Sequence, residues 1–255
     1  MDSQKTQPKR LPIKVEPIAS TEDFGRFFDI AANAFARQAK DNVWMTLHPG
    51  WDTPEGRENA ISGNIKRWSS ITKDRNGNPN TIFLKATVPR LDDSGKEDIA
   101  GVAIWAQASM VDGYGDAPTN DIDKVMDVKA LYPGNATEQE YLRQLLRSFH
   151  ARRVEIANEI ASSSSPALMI LDLCAVDPTF QRLGVATKLV QWGLDEAKRR
   201  GGMEATLEAS SMGRHVYKKL GFRQEGGELQ FQVDEQFEHR DRPSVVFMRT
   251  GRPVV

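Results

Sequence analysis

Residues 167–176 (ALMILDLCAV) constrain the fold more than any other stretch of this chain. The run is far short of the roughly 20 residues that a membrane-spanning helix needs, and it has the length and character of a strand buried on both faces. Asp177-Pro178 stops it. After a short loop, Val185, Ala186, Leu189, Val190, Gly193, Leu194 and Ala197 recur at helical spacing and form one wide apolar face over about 184–200. Lys198, Arg199 and Arg200 suit the C-terminal end of the helix dipole, and Gly201-Gly202 suits its cap. A strand over 203–209, a short helix near 213–220 and strands near 229–233 and 244–249 follow. This alternation predicts a mixed sheet with a parallel portion.

The upstream half reads as less regular. Residues 1–12 are polar and prolyl, which predicts a flexible tail. A short strand over 14–18 leads into a helix capped by Thr21 or Ser20, with Phe24, Phe27, Phe28, Ala31, Ala34 and Phe35 at helical spacing. A second helix covers about 54–70. The turn-rich run 73–79 precedes two strands, 81–88 and 98–107, which read as a hairpin. Residues 109–165 break the pattern, with a loop over 111–120 and a long helix over 137–160. This segment reads as a helical insertion, too small to own a core, within a single domain over 13–255.

Composition removes several function classes. The chain has 255 residues, of which 39% are hydrophobic and 27% charged, and its net charge is -1. Such a balance gives no general drive toward nucleic acid or an anionic membrane, and no nucleic-acid motif or basic stripe is present. The sole cysteine, Cys174, excludes an intrachain disulfide and favours a reducing compartment. The four histidines have no metal-ligand spacing, so no metal site is expected. The first ten residues lack the apolar core of a secretory signal, and the expected location is the cytoplasm. The triplet at Asn135-Ala136-Thr137 fits a glycosylation sequon by chance. Tyr141 to Ile156 would support a homodimer if its apolar face were exposed.

The loop between 176 and 185 carries the chemistry. Strand, short loop and helix together make an anion site, because the first N–H groups of a helix lack partners and its dipole is positive there. Gly184 permits a backbone close to a ligand, Ala186 is too small to block it, Arg182 adds a cation and Thr187 a hydroxyl. On these grounds alone the loop is either a pyrophosphate cradle or an ordinary turn. The pattern Val176-x-Pro178-x-x-Gln181-Arg182-x-Gly184-x-Ala186 resembles the acyl-CoA loop of the Gcn5-related N-acetyltransferase (GNAT) superfamily, in its alanine variant. The block from Leu207 to Phe222, LEASSMGRHVYKKLGF, resembles that family's next strand and helix with the closing Y-x-x-x-G-F. The strong part of the match spans 167–222, and the segment is similar to fungal small-molecule members.

The resemblance implies an α/β fold of the α+β type: a mixed, mostly antiparallel central sheet with one parallel, splayed strand pair, flanked by helices. It implies acetyl-CoA as cosubstrate and transfer of its acetyl group to a primary amine, expected to be that of a small molecule, by direct attack in a ternary complex. A protein amine (lysine or N-terminus) and a non-catalytic acyl-CoA-binding module are the alternatives. By carry-over, the amides of Arg182, Leu183, Gly184, Val185, Ala186 and Thr187 would hold the pyrophosphate, with Gln181 opening the loop. Backbone near Cys174, Ala175 and Val176 would bind the pantetheine. The Val176 amide would stabilise the oxyanion. Tyr217 matches the family's general acid. Ser210 stands where many members have asparagine, so a polar contact there is weakened.

For the base, Asp172 lies inside the apolar run, where burial would raise its pKa into a useful range unless an Arg or Lys pairs with it. Glu208 is the rival, and water relays are the third option. Cys174, in an apolar strand without a base partner, reads as a buried thiol rather than a nucleophile. His215, Arg214 and Lys218 are read as surface or CoA-flanking groups. Trp44, Trp51 and Trp68 either line an acceptor pocket or pack.

Overall fold

The computed structural model describes residues 12–90 and 95–251. Apart from Pro12, the tail expected over 1–12 lies outside these residues. The strands are β1 (Lys14–Pro17), β2 (Thr81–Pro89), β3 (Glu97–Ala108), β4 (Leu168–Val176), β5 (Glu204–Ser210), β6 (Arg223–Glu228) and β7 (Val245–Arg249). They form one sheet in the order β1-β2-β3-β4-β5-β7-β6, antiparallel except for β4 beside β5. This is the predicted mixed sheet with one parallel pair.

Local chemistry accounts for the main helices. Helix α1 (Asp23–Ala31) starts after Glu22, and Ser20 Oγ accepts the Glu22 N–H at 3.2 Å, so neither Ser20 nor Thr21 is the cap residue itself. The helix does not run on evenly. Residues Ala32–Gln38 form a π-helical segment, which the apolar spacing concealed because Ala34 and Phe35 still fit a helical face. A short α2 (Asn42–Leu47) follows, capped by Asp41, which accepts the Trp44 N–H at 3.0 Å. Helix α3 (Pro54–Ser69) has Thr53 as its cap, accepting the Gly56 N–H at 3.1 Å, with proline in its first turn. The one-turn α4 (Val128–Leu131) precedes α5 (Ala136–Ile160), which Asn135 caps by accepting the Glu138 N–H at 3.1 Å. Helices α6 (Val185–Arg199) and α7 (Arg214–Lys219) complete the set.

The sheet is covered on both faces. On one face, α6 packs Val185, Leu189, Val190 and Ala197 onto Trp105, Met169, Leu171 and Leu207. On the other, α1 sets Phe24, Phe27 and Phe28 against Phe83, Val102 and Ala175, and α5 sets Ile156, Ala157 and Ile160 against Leu168 and Ile170. The segment read as an insertion thus joins two apolar clusters. The second holds Tyr141, Leu142, Leu145 and Leu146 with Phe237. Because this face of α5 is covered within the chain, it gives no ground for a homodimer.

One strand lies elsewhere than expected. Residues 229–233 alternate like a strand, but the sixth strand is formed by 223–228. Phe231 and Val233 turn onto the α5 cluster. The N–H groups of Gln232 and Asp234 go to Ser148 Oγ (2.9 Å) and Gln144 Oε1 (2.8 Å) on α5 instead of to a neighbouring strand.

Candidate active site

The parallel contact between β4 and β5 is short. Register pairs run from Leu168↔Glu204 to Leu171↔Leu207 and then end. The cause is visible in β4: its register with β3 steps from Trp105↔Leu171 to Ile104↔Leu173, so Asp172 is an extra, bulged residue. A bulge bends its strand, and beyond it the edge of β4 that would face β5 stands open. The Asp177 N–H donates to the Ala100 carbonyl of β3 at 2.9 Å. Alternation along an antiparallel strand therefore points the Val176 N–H and C=O away from β3, into the gap. Gln181 Nε2 donates to that carbonyl at 3.2 Å.

The loop after β4 has a backbone geometry suited to an anion. Arg182 (φ +62°) and Gly184 (φ +93°) are both left-handed, and such turns aim successive N–H groups into one concavity. At Gly184 a Cβ would meet only Ile13 Cδ1, at 3.9 Å, so glycine is favoured by its backbone angle and not by lack of space. The first helical bond of α6 is Lys188 N–H to the Gly184 carbonyl at 3.1 Å, which leaves the N–H groups of Val185, Ala186 and Thr187 without helical acceptors. Arg182 is exposed and Leu183 is 47% exposed.

Gap and loop form one cleft of about 810 Å³, within the roughly 300–1,000 Å³ of small-molecule and cofactor sites. Cys174, Ala175 and Val176 line one wall; Gln181, Arg182, Gly184, Val185, Ala186 and Thr187 line the loop end; Ser210 and Tyr217 line the far side. Of the residues named for cofactor binding from sequence, Leu183 alone is not part of this wall. A wall the sequence did not reveal comes from the π-helical segment, through Ala34, Phe35 and Gln38. Gln38 and Gln181 exchange amide bonds of 3.1 and 2.7 Å. The pairing joins residues 143 apart, and no local pattern signals it.

Tyr217 lies across Gly213, where a Cβ would meet its ring at 2.5 Å, and edge-on to Phe222 at 6.0 Å. Burial, with Cys174 beside it, raises its phenol pKa well above the ordinary value. Its hydroxyl has no hydrogen-bond partner among the described residues. Burial also pushes the Cys174 thiol up to about 12, a weak nucleophile.

The two carboxylates named as candidate bases are held differently from expectation. Arg153 of α5 donates to both: Nε to Glu208 Oε1 at 3.0 Å, Nη2 to Glu208 Oε2, and Nη1 to Asp172 Oδ1 at 3.0 Å. Arg67 of α3 donates to Asp172 Oδ2 at 2.9 Å. Burial favours the neutral acid at Asp172, but Arg67 and Arg153 outweigh it and hold the carboxyl below the usual carboxylate range. Of the two outcomes open for Asp172, pairing with arginine is the one found, because the bulge aims it at two guanidiniums. His150, on α5, is buried beside Arg153 and its pKa falls to about 3.

Other expectations fall on packing. Trp44 is 6% exposed and stacks on His48 at 4.1 Å, and Trp68 meets Phe24 edge-on at 5.9 Å. Trp51 borders a smaller recess of about 320 Å³ beside Phe28 and Arg57. None of the three lines the large cleft. Arg214 is bound to Glu228 (2.8 Å) and Ser244 (2.6 Å), and the basic residue of α7 that lines the cleft is Lys219, not Lys218. His215 lines it as well. Among the described residues no three His, Cys, Asp or Glu side chains gather as metal ligands, and no helix is long and apolar enough to cross a membrane.

Residues 138–234 match a family model described as an acetyltransferase (GNAT) domain. Among solved structures, the chain is similar to the mosquito arylalkylamine N-acetyltransferase like 5b, with 16% identity, 93% of this chain and 98% of that one covered, and a TM-score of 0.56. It is similar to a Drosophila melanogaster polyamine N-acetyltransferase that forms N-acetylagmatine, with 12% identity, 93% and 98% coverage and a TM-score of 0.56. It is also similar to the histone acetyltransferase HPA2 and related acetyltransferase of Corynebacterium glutamicum, with 19% identity, 95% and 98% coverage and a TM-score of 0.51. No curated protein sequence matches the chain. The family match thus marks residues 138–234, with the splayed β4–β5 contact and the loop that opens α6, as a GNAT acetyltransferase domain, and the chain as a whole shares the fold of the solved acetyltransferases.

Proposed function

We propose that the protein transfers the acetyl group of acetyl-CoA to a primary amine of a small molecule, by direct attack in a ternary complex, and that residues 13–255 act as one domain. The observation that carries this is the continuous cleft from the α6 loop, past the open Val176 edge, to Tyr217. The residues present fit the cosubstrate: a cradle of N–H donors for a pyrophosphate, a free strand edge for an extended amide chain, and a protonated phenol at the end. Small-amine acceptance is supported by similarity to enzymes named for arylalkylamines and polyamines.

In this reading acetyl-CoA supplies the activated acetyl group. The amides from Arg182 to Thr187 bind the pyrophosphate, and the edge from Cys174 to Val176 binds the pantetheine, with Ser210 on the opposite wall. The Val176 N–H holds the thioester oxygen as charge builds on it. The acceptor nitrogen bonds to the acetyl carbon as the carbon–sulfur bond breaks, and Tyr217 gives its proton to the departing sulfur. The amine's own proton leaves through water, because Asp172 and Glu208 are both engaged by arginine.

Calorimetry with acetyl-CoA tests the reading, wild type against Gly184→Trp, which would fill the cradle and strain its backbone. Binding that the substitution abolishes, followed by acetylation of a member of an amine panel, is the expected result. A folded wild type that binds neither acetyl-CoA nor longer acyl-CoAs would overturn it.

A further inference from the structure

Where β4 and β5 part, on the face covered by α1, α3 and α5, four charged side chains meet: Asp172, Glu208, Arg153 and Arg67. All four carboxylate oxygens are taken. Asp172 accepts from Arg153 and from Arg67, and both oxygens of Glu208 accept from Arg153. Arg153 commits Nε, Nη1 and Nη2, and its side chain is 8% exposed. Arg67 commits Nη2 alone among the described residues, and its side chain is 43% exposed. Its guanidinium also lies over the Phe83 ring, 5.8 Å from the centroid, so aromatic face and carboxylate together fix its position.

The charges in this cluster balance as two carboxylates against two guanidiniums, and His150 is uncharged at neutral pH. What the cluster turns toward solvent is therefore unspent donor capacity on a cation. An acceptor with a second ammonium finds no open carboxylate here and must first break the Arg67–Asp172 pair. An acceptor with an anionic group gains charge-assisted hydrogen bonds without breaking anything. Asp172 lies two residues before Cys174, which lines the cleft, so through Asp172 the Arg67 guanidinium is tied to the strand that borders the gap.

We propose that Arg67 is a specificity-determining residue, and that the acceptor is a primary amine that also carries an anionic group, a carboxylate or a phosphate, bound by its guanidinium. This rests on the acetyltransferase reading above. Matched probes test it: tyrosine against tyramine, ornithine against putrescine, and phosphoethanolamine against ethanolamine, each scored by kcat/KM with saturating acetyl-CoA. The anionic member of at least one pair should be preferred roughly tenfold to a hundredfold, the range for hydrogen bonds to charged groups. The carboxylate and phosphate pairs separate the two sources of charge.

Arg67→Gln should collapse that ratio mainly through KM. By freeing an oxygen of Asp172 it should also shift preference toward putrescine. Arg67→Lys should restore part of the ratio, which a merely structural loss would not do. Preference for the member that lacks the anionic group in every pair, with wild type, overturns the proposal without recourse to any variant and leaves the acetyltransferase reading standing. No turnover of any anionic probe also overturns it. Acetyl-CoA binding measured on the same sample then shows whether the acetyltransferase reading falls too.

Discussion

Tyr217 sits at the end of the cleft with a phenol that burial holds protonated well past its ordinary range. In its proposed role as general acid it would not ionise at working pH, and would add a level to the rate and no limb to the pH profile. Tyr217→Phe should therefore lower kcat by roughly a hundredfold to ten-thousandfold while keeping the shape of the profile and the affinity for acetyl-CoA; steady-state kinetics across pH, with calorimetry, check it. His150 makes a prediction of the opposite kind. The ordinary histidine pKa of 6.5 drops to about 3 at this position, lowered by burial and by Arg153. As pH drops through that window the unfolded chain takes up a proton that the folded one refuses, so stability falls. His48, lowered likewise by burial, adds slope of the same sign. Asp172 adds little above about pH 5, because its stabilisation is lost only as pH falls toward and below its ordinary unfolded pKa of about 3.9. The melting temperature of His150→Gln should thus fall less steeply than that of wild type between pH 6.5 and about 4.

At the scale of elements, α6 carries both the core and the cradle. Its Gly193 lies on the Trp105 ring of β3, where a Cβ would come within 1.9 Å of Cε2. Gly193→Ala should push the helix off the sheet and cost about 1–3 kcal/mol, read as a lower denaturant midpoint at constant slope, together with weaker acetyl-CoA binding, because the loop that opens α6 moves with it. This element was legible in the sequence. Its apolar stripe, Gly184 before it and Gly201-Gly202 after it are local signals, and the helix spans Val185–Arg199 as read. The same holds for α3, through Pro54, and for the hairpin of β2 and β3. The π-helical turn at 32–38 was not legible, since a wider helical turn leaves the apolar spacing almost intact. Nor was the bulge at Asp172, since pairing with Ile104 and Trp105 defines it. That bulge opens the gap and turns Asp172 toward α3 and α5.

In the whole molecule, the sheet's two halves meet along a short parallel contact, and Arg153 adds a second connection by bonding to β4 through Asp172 and to β5 through Glu208. The sequence offered both carboxylates as candidate bases and carried no sign of their shared partner, which lies 19 residues from one and 55 from the other. Long separation also hid how α5 belongs to the core, since its apolar partners come from β4, β7 and the segment around Phe237. The strength of this brace can be measured. The Glu208 side chain is 2% exposed, so Arg153→Met leaves a charge in a site that solvent hardly reaches, and breaking such a pair costs about 3–5 kcal/mol. Arg153 also lowers the pKa of His150, so without it the folded chain takes up that proton more readily than wild type does. The variant's deficit should accordingly be largest near neutral pH and shrink at about pH 5, where wild type is already losing stability through His150. Denaturant unfolding of both proteins at the two pH values decides it. A deficit of the same size at both would mean that Arg153 acts through packing of its stem; a deficit that narrows on acidification would show that charge holds the two strands where they part.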